Sequence, residues 1–216
     1  MTGKTITQWR ELANESPVRA AEAFFENLQA VSREDRNKAV WWKPTREALA
    51  SAFARATALD SPIAGVPYGL KDLFDFAGAP TTAGSGFLPD VRPTPERDSR
   101  MVRFLSEHGG VMACKTATVE FAYGLSGENH WFGDCPHPSI PGALSGGSSS
   151  GSAWIVGAGV TPFAIGTDTA GSMRVPAAYC GVYSWRNSPG PIGQEGCVPL
   201  AISFDTPGWF AQSAED

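Results

Sequence analysis

Residues 147–151 read G-S-S-S-G and fit the G-x-S-x-G pattern, which places a serine nucleophile on a sharp turn between a strand and a helix. Hydrolases built on that turn place their acid and their histidine after the serine in the chain. Here the three histidines, His108, His130 and His137, all precede it. The order of residues therefore disfavours a hydrolase with a serine, histidine and aspartate triad.

A serine nucleophile without a histidine needs another base, and a lysine kept neutral by burial can supply one. Lys71 directly follows the apolar run 66–70 (VPYGL). The end of a buried strand would hold its ammonium group where desolvation lowers its pKa. The alternative is an ordinary ion pair with Asp72 or Asp75 at the end of the strand. The pattern leaves both interpretations open.

A third segment, residues 166–172 (GTDTAGS), places small residues just before Ser172. Backbone N–H groups in such a loop can converge on one point and stabilise an oxyanion, although a plain turn after a strand has the same composition. Nucleotide-binding motifs are not supported. Residues 146–151 lack the G-K-[ST] ending of a phosphate-binding loop, and Pro162 stands where a dinucleotide fingerprint requires glycine.

Taken together, three blocks of the sequence resemble the amidase signature family: residues 65–72 (GVPYGLKD), 146–153 (GGSSSGSA) and 166–177 (GTDTAGSMRVPA). Segments around Lys115, around Glu128 and at 203–208 are similar to those that flank these blocks in the family. The resemblance runs from about residue 48 to the end of the chain. It implies an α/β fold, with a mixed β-sheet core flanked by α-helices. We expect this fold to be incomplete at the C-terminus, because the chain has about half the length of the family's catalytic domains.

The resemblance also implies a Ser–cis-Ser–Lys triad, carried over to three positions of this sequence. Ser172 matches the nucleophile, Ser148 the bridging serine and Lys71 the base. The peptide bond between Gly147 and Ser148 is expected to be cis. The backbone amides that match the oxyanion hole are those of Thr169, Ala170, Gly171 and Ser172. The supporting residues implied in the same way are Ser149, Asp168 and Arg174.

Two segments depart from the family's pattern. Ala170 replaces a usual glycine, which we expect to be tolerated if the φ angle there is negative. Residues 183–190 (YSWRNSPG) differ from the usual sequence of the turn that follows the nucleophile.

An amidohydrolase is the function that the resemblance implies. Such an enzyme cleaves the C–N bond of a small-molecule carboxylic amide through a serine acyl-enzyme, releases ammonia or an amine, and needs no metal and no cofactor. One alternative is the glutaminase-type A subunit of a tRNA-dependent amidotransferase, which would pass ammonia to a partner subunit. The other is a catalytically inactive, truncated fragment.

Amphipathic patterns predict the helices near the N-terminus. Ser16 and Pro17 begin a helix over about 17–31, Thr45 begins another that ends at the turn 60–62, and a shorter helix is indicated at 6–12. We expect residues 1–60 to form an N-terminal helical layer.

The sequence from 61 to 216 has a different pattern of hydrophobic residues. Short apolar runs at 66–70 and 111–114 alternate with a helical pattern at 99–108, which is typical of an α/β domain. The glycine and serine residues of 145–152 lead directly into an apolar helix and then a strand near 162–165, so we interpret them as a buried loop and not as a linker. The whole chain is expected to be a single, truncated domain.

Composition excludes several classes of protein. The 216 residues are 42% hydrophobic, enough for one sizeable core, and carry a net charge of −5 without a basic block, which disfavours nucleic-acid binding. The most apolar stretch, 153–165, is too short to span a membrane. The first residues do not read as a secretory signal, and the four cysteines form no paired motif, so we expect a cytoplasmic protein with reduced thiols.

The end of the sequence resembles the start of a helix. In residues 213–216 a serine hydroxyl precedes two acidic side chains, in agreement with truncation. We expect the missing part to leave four apolar side chains partly uncovered, so that association with a partner subunit or a second copy is favoured. These side chains are Phe163, Ile165, Ile202 and Phe204.

Overall fold

The computed structural model describes residues 3–190 and 195–216, and its centre is a mixed β-sheet. Within those residues the sheet has six strands in the order β1-β3-β2-β4-β6-β5. The strands are β1 (Val40–Trp42), β2 (Val66–Lys71), β3 (Gly110–Thr116), β4 (Phe163–Asp168), β5 (Tyr183–Arg186) and β6 (Thr206–Ala211). β2 runs parallel to both β3 and β4, whereas β1, β5 and β6 pair antiparallel with their neighbours. The predicted α/β class is confirmed.

Helices flank this sheet. They are α1 (Ile6–Glu15), α2 (Pro17–Ala30), α3 (Arg33–Ala39), α4 (Arg46–Ala56), α5 (Leu88–Val91), α6 (Arg100–Glu107), α7 (Ser150–Gly157) and α8 (Arg174–Cys180), with a 3-10 turn at Glu120–Ala122. The predicted starts of three of them are confirmed, because Ser16, Thr45 and Ser99 each accept a hydrogen bond from a backbone N–H of the first helical turn. None of the described helices is long and apolar enough to cross a membrane.

One apolar core joins the N-terminal helices to the sheet. Trp9 stacks on Phe53 with ring centroids 6.4 Å apart, and Tyr68 stacks on Phe163 at 5.4 Å. All four side chains belong to the same buried cluster. The N-terminal region also contributes β1 to the sheet through its pairing with β3, so residues 1–60 are not only helical.

The segment rich in glycine and serine leads into α7, a helix buried on all sides. Every residue from Ser150 to Val156 is buried. Gly151 lies so close to the main chain that a Cβ atom there would collide with the carbonyl oxygen of Ala39. This packing confirms that residues 145–152 are not a flexible linker.

The expected exposure of four apolar side chains is only half right. Phe163 and Ile165 are buried in the main apolar cluster, where Phe163 stacks on Tyr68. Ile202 and Phe204 are 63% and 61% exposed. The residues at 213–216 are not helical, although the Asp216 N–H donates to Ser213 Oγ at 3.1 Å as at a helix start.

Candidate active site

Lys71 is the last residue of β2, and its side chain is fully buried. Its Nζ donates hydrogen bonds to Ser148 Oγ at 2.8 Å and to Thr167 Oγ1 at 2.7 Å. Burial lowers the pKa of Lys71 to about 7, against a smaller opposing effect of the acidic groups around it. A substantial neutral fraction of this amine therefore exists near neutral pH, as a general base requires.

The alternative interpretation of Lys71, an ion pair at the end of the strand, is wrong. Asp72 Oδ1 lies 2.6 Å from Nζ of the buried Lys115. Asp75 forms a bidentate pair with Arg92, with N···O distances of 2.8 and 2.9 Å. Both carboxylates that could have neutralised Lys71 are thus paired with other cations.

Ser148 lies between a cis peptide bond and the start of α7. The Gly147–Ser148 peptide bond is cis, as the resemblance implied. Ser148 is fully buried, and the next residue, Ser149, is the N-cap residue of α7. The close packing of Gly151 fixes the first turn of this helix, and with it the position of Ser148 beneath Lys71 Nζ.

The loop that carries Ser172 is organised by the carboxylate of Asp168. Its oxygens accept the N–H groups of Gly171 at 2.9 Å and of Met173 at 3.2 Å. The guanidinium of Arg174 donates two bonds of 3.0 Å, and Nε of Arg186 donates a third at 3.2 Å. Burial alone would raise the pKa of Asp168, but the hydrogen bonds from Arg174 and from the N–H groups of Met173 and Gly171 outweigh it and hold the pKa at about 2.

Ser149 joins the two serine-bearing segments. Its N–H donates to the carbonyl oxygen of Ser172 at 3.2 Å, and its hydroxyl donates to the carbonyl oxygen of Thr167 at 3.1 Å. Ser172 itself is 3% exposed. Within the described residues no hydrogen bond links Ser172 Oγ to Ser148 Oγ. The structure thus brings Lys71 directly to Ser148, and it connects Ser172 to them through the main chain.

The N–H groups predicted to form an oxyanion hole differ in their present partners. That of Gly171 donates to Asp168, whereas those of Thr169, Ala170 and Ser172 have no acceptor among the residues that the structure describes. Ala170 is not among the described residues with a positive φ, so its Cβ is accommodated.

Three residues at the site were not predicted. Thr167 accepts from Lys71, Arg186 donates to Asp168, and Asp205 accepts from the hydroxyl of Thr169. Thr167 and Asp205 lie in segments already matched to the family, so their positions were available from the sequence although their roles were not. Arg186 lies in segment 183–190, which differs from the family's usual sequence, so neither the resemblance nor a local pattern indicated a role for it.

A cavity of about 110 Å³ opens beside these residues. It meets the site at Thr167, which holds Lys71, and at Thr169, the first residue of the predicted oxyanion hole. Its described lining residues are Leu73, Ala122, Thr167, Thr169, Cys197, Val198, Pro199, Leu200, Ile202, Asp205, Thr206 and Pro207. The described residues contain no group of three or more metal-ligating side chains.

Comparison with known sequences agrees with the family resemblance of the three sequence blocks. The Amidase family model matches residues 19–216. The A subunit of the glutamyl-tRNA(Gln) amidotransferase from Akkermansia muciniphila is 37% identical over 98% of this chain and 44% of its own length. Amidase 1 from Oryza sativa subsp. japonica is 40% identical over 70% of this chain and 35% of its own length.

Solved structures resemble the whole described fold. A crystal structure of an amidase superimposes with a TM-score of 0.86 and 34% identity, over 99% of this chain and 50% of the other. The structure of 6-aminohexanoate cyclic dimer hydrolase complexed with substrate gives a TM-score of 0.82 and 30% identity, over 97% and 44% of the two chains. This chain spans half or less of the length of these relatives.

Proposed function

The chain belongs to the amidase family, and from that premise we propose that it hydrolyses carboxylic amides through an acyl-enzyme on Ser172. One observation carries the proposal. The buried amine of Lys71 lacks a carboxylate partner among the described residues and donates to Ser148 at 2.8 Å, beside the loop that holds Ser172. An amine in this environment is suited to accept a proton, and the hydroxyl of Ser148 is its route toward a nucleophile.

The first half of the reaction forms the acyl-enzyme. As Ser172 Oγ attacks the carbonyl carbon, its proton passes to Ser148, and the proton of Ser148 passes to neutral Lys71. The oxyanion is stabilised by N–H groups of Thr169, Ala170 and Ser172. The C–N bond then breaks, and a proton returns through Ser148 to the leaving nitrogen. Ammonia or an amine departs. The first proton transfer, from Ser172 to Ser148, requires Ser172 Oγ to come within hydrogen-bond distance of Ser148 Oγ.

The second half releases the acid. A water molecule attacks the ester carbonyl while its proton moves along the same relay to Lys71. The bond between Ser172 Oγ and the acyl carbon breaks, and the serine recovers a proton. Asp168 acts in both halves as a positioning residue, because it binds the main chain on either side of Ser172.

A glutaminase subunit is the second candidate. It is favoured by the 37% identity to an amidotransferase A subunit over nearly the whole chain. In that case the acyl donor is glutamine, and the ammonia passes to a partner subunit. We place either activity in the cytoplasm, a proposal that the four unpaired cysteine thiols favour.

Covalent labelling tests the nucleophile. The purified chain is incubated with an alkyl fluorophosphonate, and its intact mass is measured for wild type, for Ser172→Ala and for Ser106→Ala. Ser106 is an exposed serine of α6 and serves as the matched control. We expect one adduct on wild type and on the control, and none on Ser172→Ala. An adduct that persists in Ser172→Ala would contradict the assignment, and its absence from all three would favour the inactive fragment.

A further inference from the structure

The cavity beside Thr167 and Thr169 is placed to receive the part of a substrate that lies next to its carbonyl carbon. Thr167 Oγ1 accepts from the proposed base, and the N–H of Thr169 is a proposed oxyanion donor. A carbonyl oxygen held by that N–H directs the adjoining acyl or amine group toward the neighbouring space. The side chains that line this space therefore influence which amides bind.

Apolar side chains form most of the described lining, with Leu73, Val198 and Leu200 among them. No arginine, lysine or histidine occurs among the lining residues that the structure describes. A volume of about 110 Å³ approaches that of the roughly 150 Å³ apolar cavity known to bind benzene. The space suits a short aliphatic or a small aromatic group.

The polar side chains Thr169, Asp205 and Thr206 of the lining already have hydrogen-bond partners within the protein. One oxygen of Asp205 accepts from the Thr169 hydroxyl, and the other accepts the N–H groups of Leu200 and Ala201, each at 2.9 Å. The Thr206 hydroxyl donates to the carbonyl oxygen of Asp168 at 3.0 Å. An anionic substrate group would meet no unpaired donor among these side chains and would face the carboxylate of Asp205.

We propose that this cavity is the acyl subsite and that it selects neutral, apolar acyl groups over acyl groups that carry a carboxylate. This inference rests on the proposed amide hydrolysis and narrows its substrate class. It also disfavours glutamine, whose acyl part carries both a carboxylate and an ammonium group. Removing such charges from water without new partners costs more binding energy than the cavity returns.

Two amides of equal length test the selection. Butanamide ends in a methyl group where succinamate carries a carboxylate. For the purified wild-type chain we expect kcat/KM to be on the order of 100-fold higher for butanamide. We also expect kcat/KM to rise about fourfold per methylene from acetamide to butanamide. Glutamine is measured in parallel and should be as poor a substrate as succinamate.

A charge introduced into the lining should reverse part of the preference. Leu200 is 37% exposed, so Leu200→Arg can place a guanidinium at the cavity without burying it fully. We expect the preference for butanamide over succinamate to fall at least about tenfold in this variant. Leu59→Arg adds the same charge at a site 42% exposed in the turn after α4 and should leave the preference unchanged.

A second variant keeps the inference testable if Leu200→Arg does not fold. Val198→Phe fills the cavity, and it should lower kcat/KM about tenfold or more for butanamide and by a smaller factor for acetamide, whose acyl group is two methylenes shorter. Equal or better hydrolysis of succinamate or glutamine by wild type would overturn the inference and leave amide hydrolysis intact. If no amide is hydrolysed and Ser172 is not labelled by a fluorophosphonate, the proposed function itself fails, and the inference fails with it.

Discussion

Lys71 shows how a single residue can be kept as a base in the interior of a protein. A buried ammonium is stabilised by a nearby carboxylate, and two aspartates follow Lys71 within four positions. Both are paired elsewhere, Asp72 with Lys115 and Asp75 with Arg92. The two hydroxyl groups that contact Nζ accept hydrogen bonds without supplying charge. Burial therefore dominates and lowers the pKa.

The pH dependence of turnover should report this pKa. Because Lys71 must be neutral to accept a proton and its pKa is lowered to about 7, kcat/KM should rise about tenfold per pH unit below about 7 and level off above it. Steady-state hydrolysis of butanamide over this range gives the profile. Lys71→Met should abolish turnover across the profile. Lys43→Met, which changes an exposed lysine, should keep the wild-type profile, and a flat wild-type profile would contradict the role of Lys71.

The lowered pKa of Lys71 also makes the stability of the protein depend on pH. In the unfolded chain Lys71 keeps its ordinary pKa of 10.5, so between about pH 7 and 10.5 the unfolded state binds the extra proton. The free energy of unfolding of wild type should therefore rise with pH in this window relative to that of Lys71→Met, by on the order of 3 kcal/mol. Urea unfolding of both proteins at pH 7, 8 and 9 measures the difference, and parallel curves would exclude a lowered pKa.

At the scale of elements, the loop between β4 and α8 is organised by the side chain of Asp168. Asp168 accepts two main-chain N–H groups of that loop and three guanidinium hydrogen bonds. Asp168→Asn keeps the size but removes the charge. We expect the variant to lose about 2–3 kcal/mol in unfolding free energy, and to label with fluorophosphonate at least about tenfold more slowly. Arg174→Met removes two of the three guanidinium hydrogen bonds but keeps the charge of Asp168 and its main-chain contacts. It should therefore have a smaller effect on the unfolding free energy and on the labelling rate.

Low pH should remove the difference in unfolding free energy between wild type and Asp168→Asn. The folded-state pKa of Asp168 is about 2, below its ordinary value of 3.8, so its stabilising effect is fully present above pH 4 and is lost as the pH falls through about 2. The unfolding free energies of wild type and Asp168→Asn should therefore converge in that interval. A gap that stays constant from pH 5 to pH 2 would show that the charge of Asp168 is not what holds the loop.

Elements with strong local signals could be predicted from the sequence. Caps and helical spacing located α2, α4 and α6, and the spacing of small residues around Ser148 and Ser172 indicated both loops. Three strands were missed for local reasons. β1 has only three residues, β5 alternates without a buried face, and β6 contains Pro207 and Gly208, which are uncommon inside strands.

Contacts between distant segments could not be predicted, because no local pattern specifies them. Arg186 reaches Asp168 only because β5 pairs with β6 and β6 pairs with β4. The bond from Thr169 to Asp205 likewise depends on β6 lying beside β4. The residues that the sequence identified thus lie within the three matched blocks, whereas the contacts of Arg186 and Asp205 depend on how distant strands pair.

At the scale of the whole molecule, one face of the sheet is aromatic and exposed. Tyr183 and Trp185 on β5 are 58% and 59% exposed, and Trp209 on β6 is 39% exposed. The indoles of Trp185 and Trp209 stack with centroids 6.2 Å apart. Contiguous apolar surface of this kind is uncommon on monomers and marks a contact surface. β5 is also an edge strand of the described sheet, with one side unpaired.

Self-association through this face is the consequence we expect for the 216-residue chain. Burying the stacked indoles between two copies removes apolar area from water, and aromatic residues contribute strongly to such contacts. Sedimentation velocity should show a weight-average mass that rises with protein concentration. Trp185→Ser should weaken association by about tenfold or more, whereas Val18→Ser, at a position 56% exposed on α2, should leave it unchanged. If both variants associate like wild type, the aromatic face is not the contact, and the opposite end of the sheet at β1 becomes the surface to test.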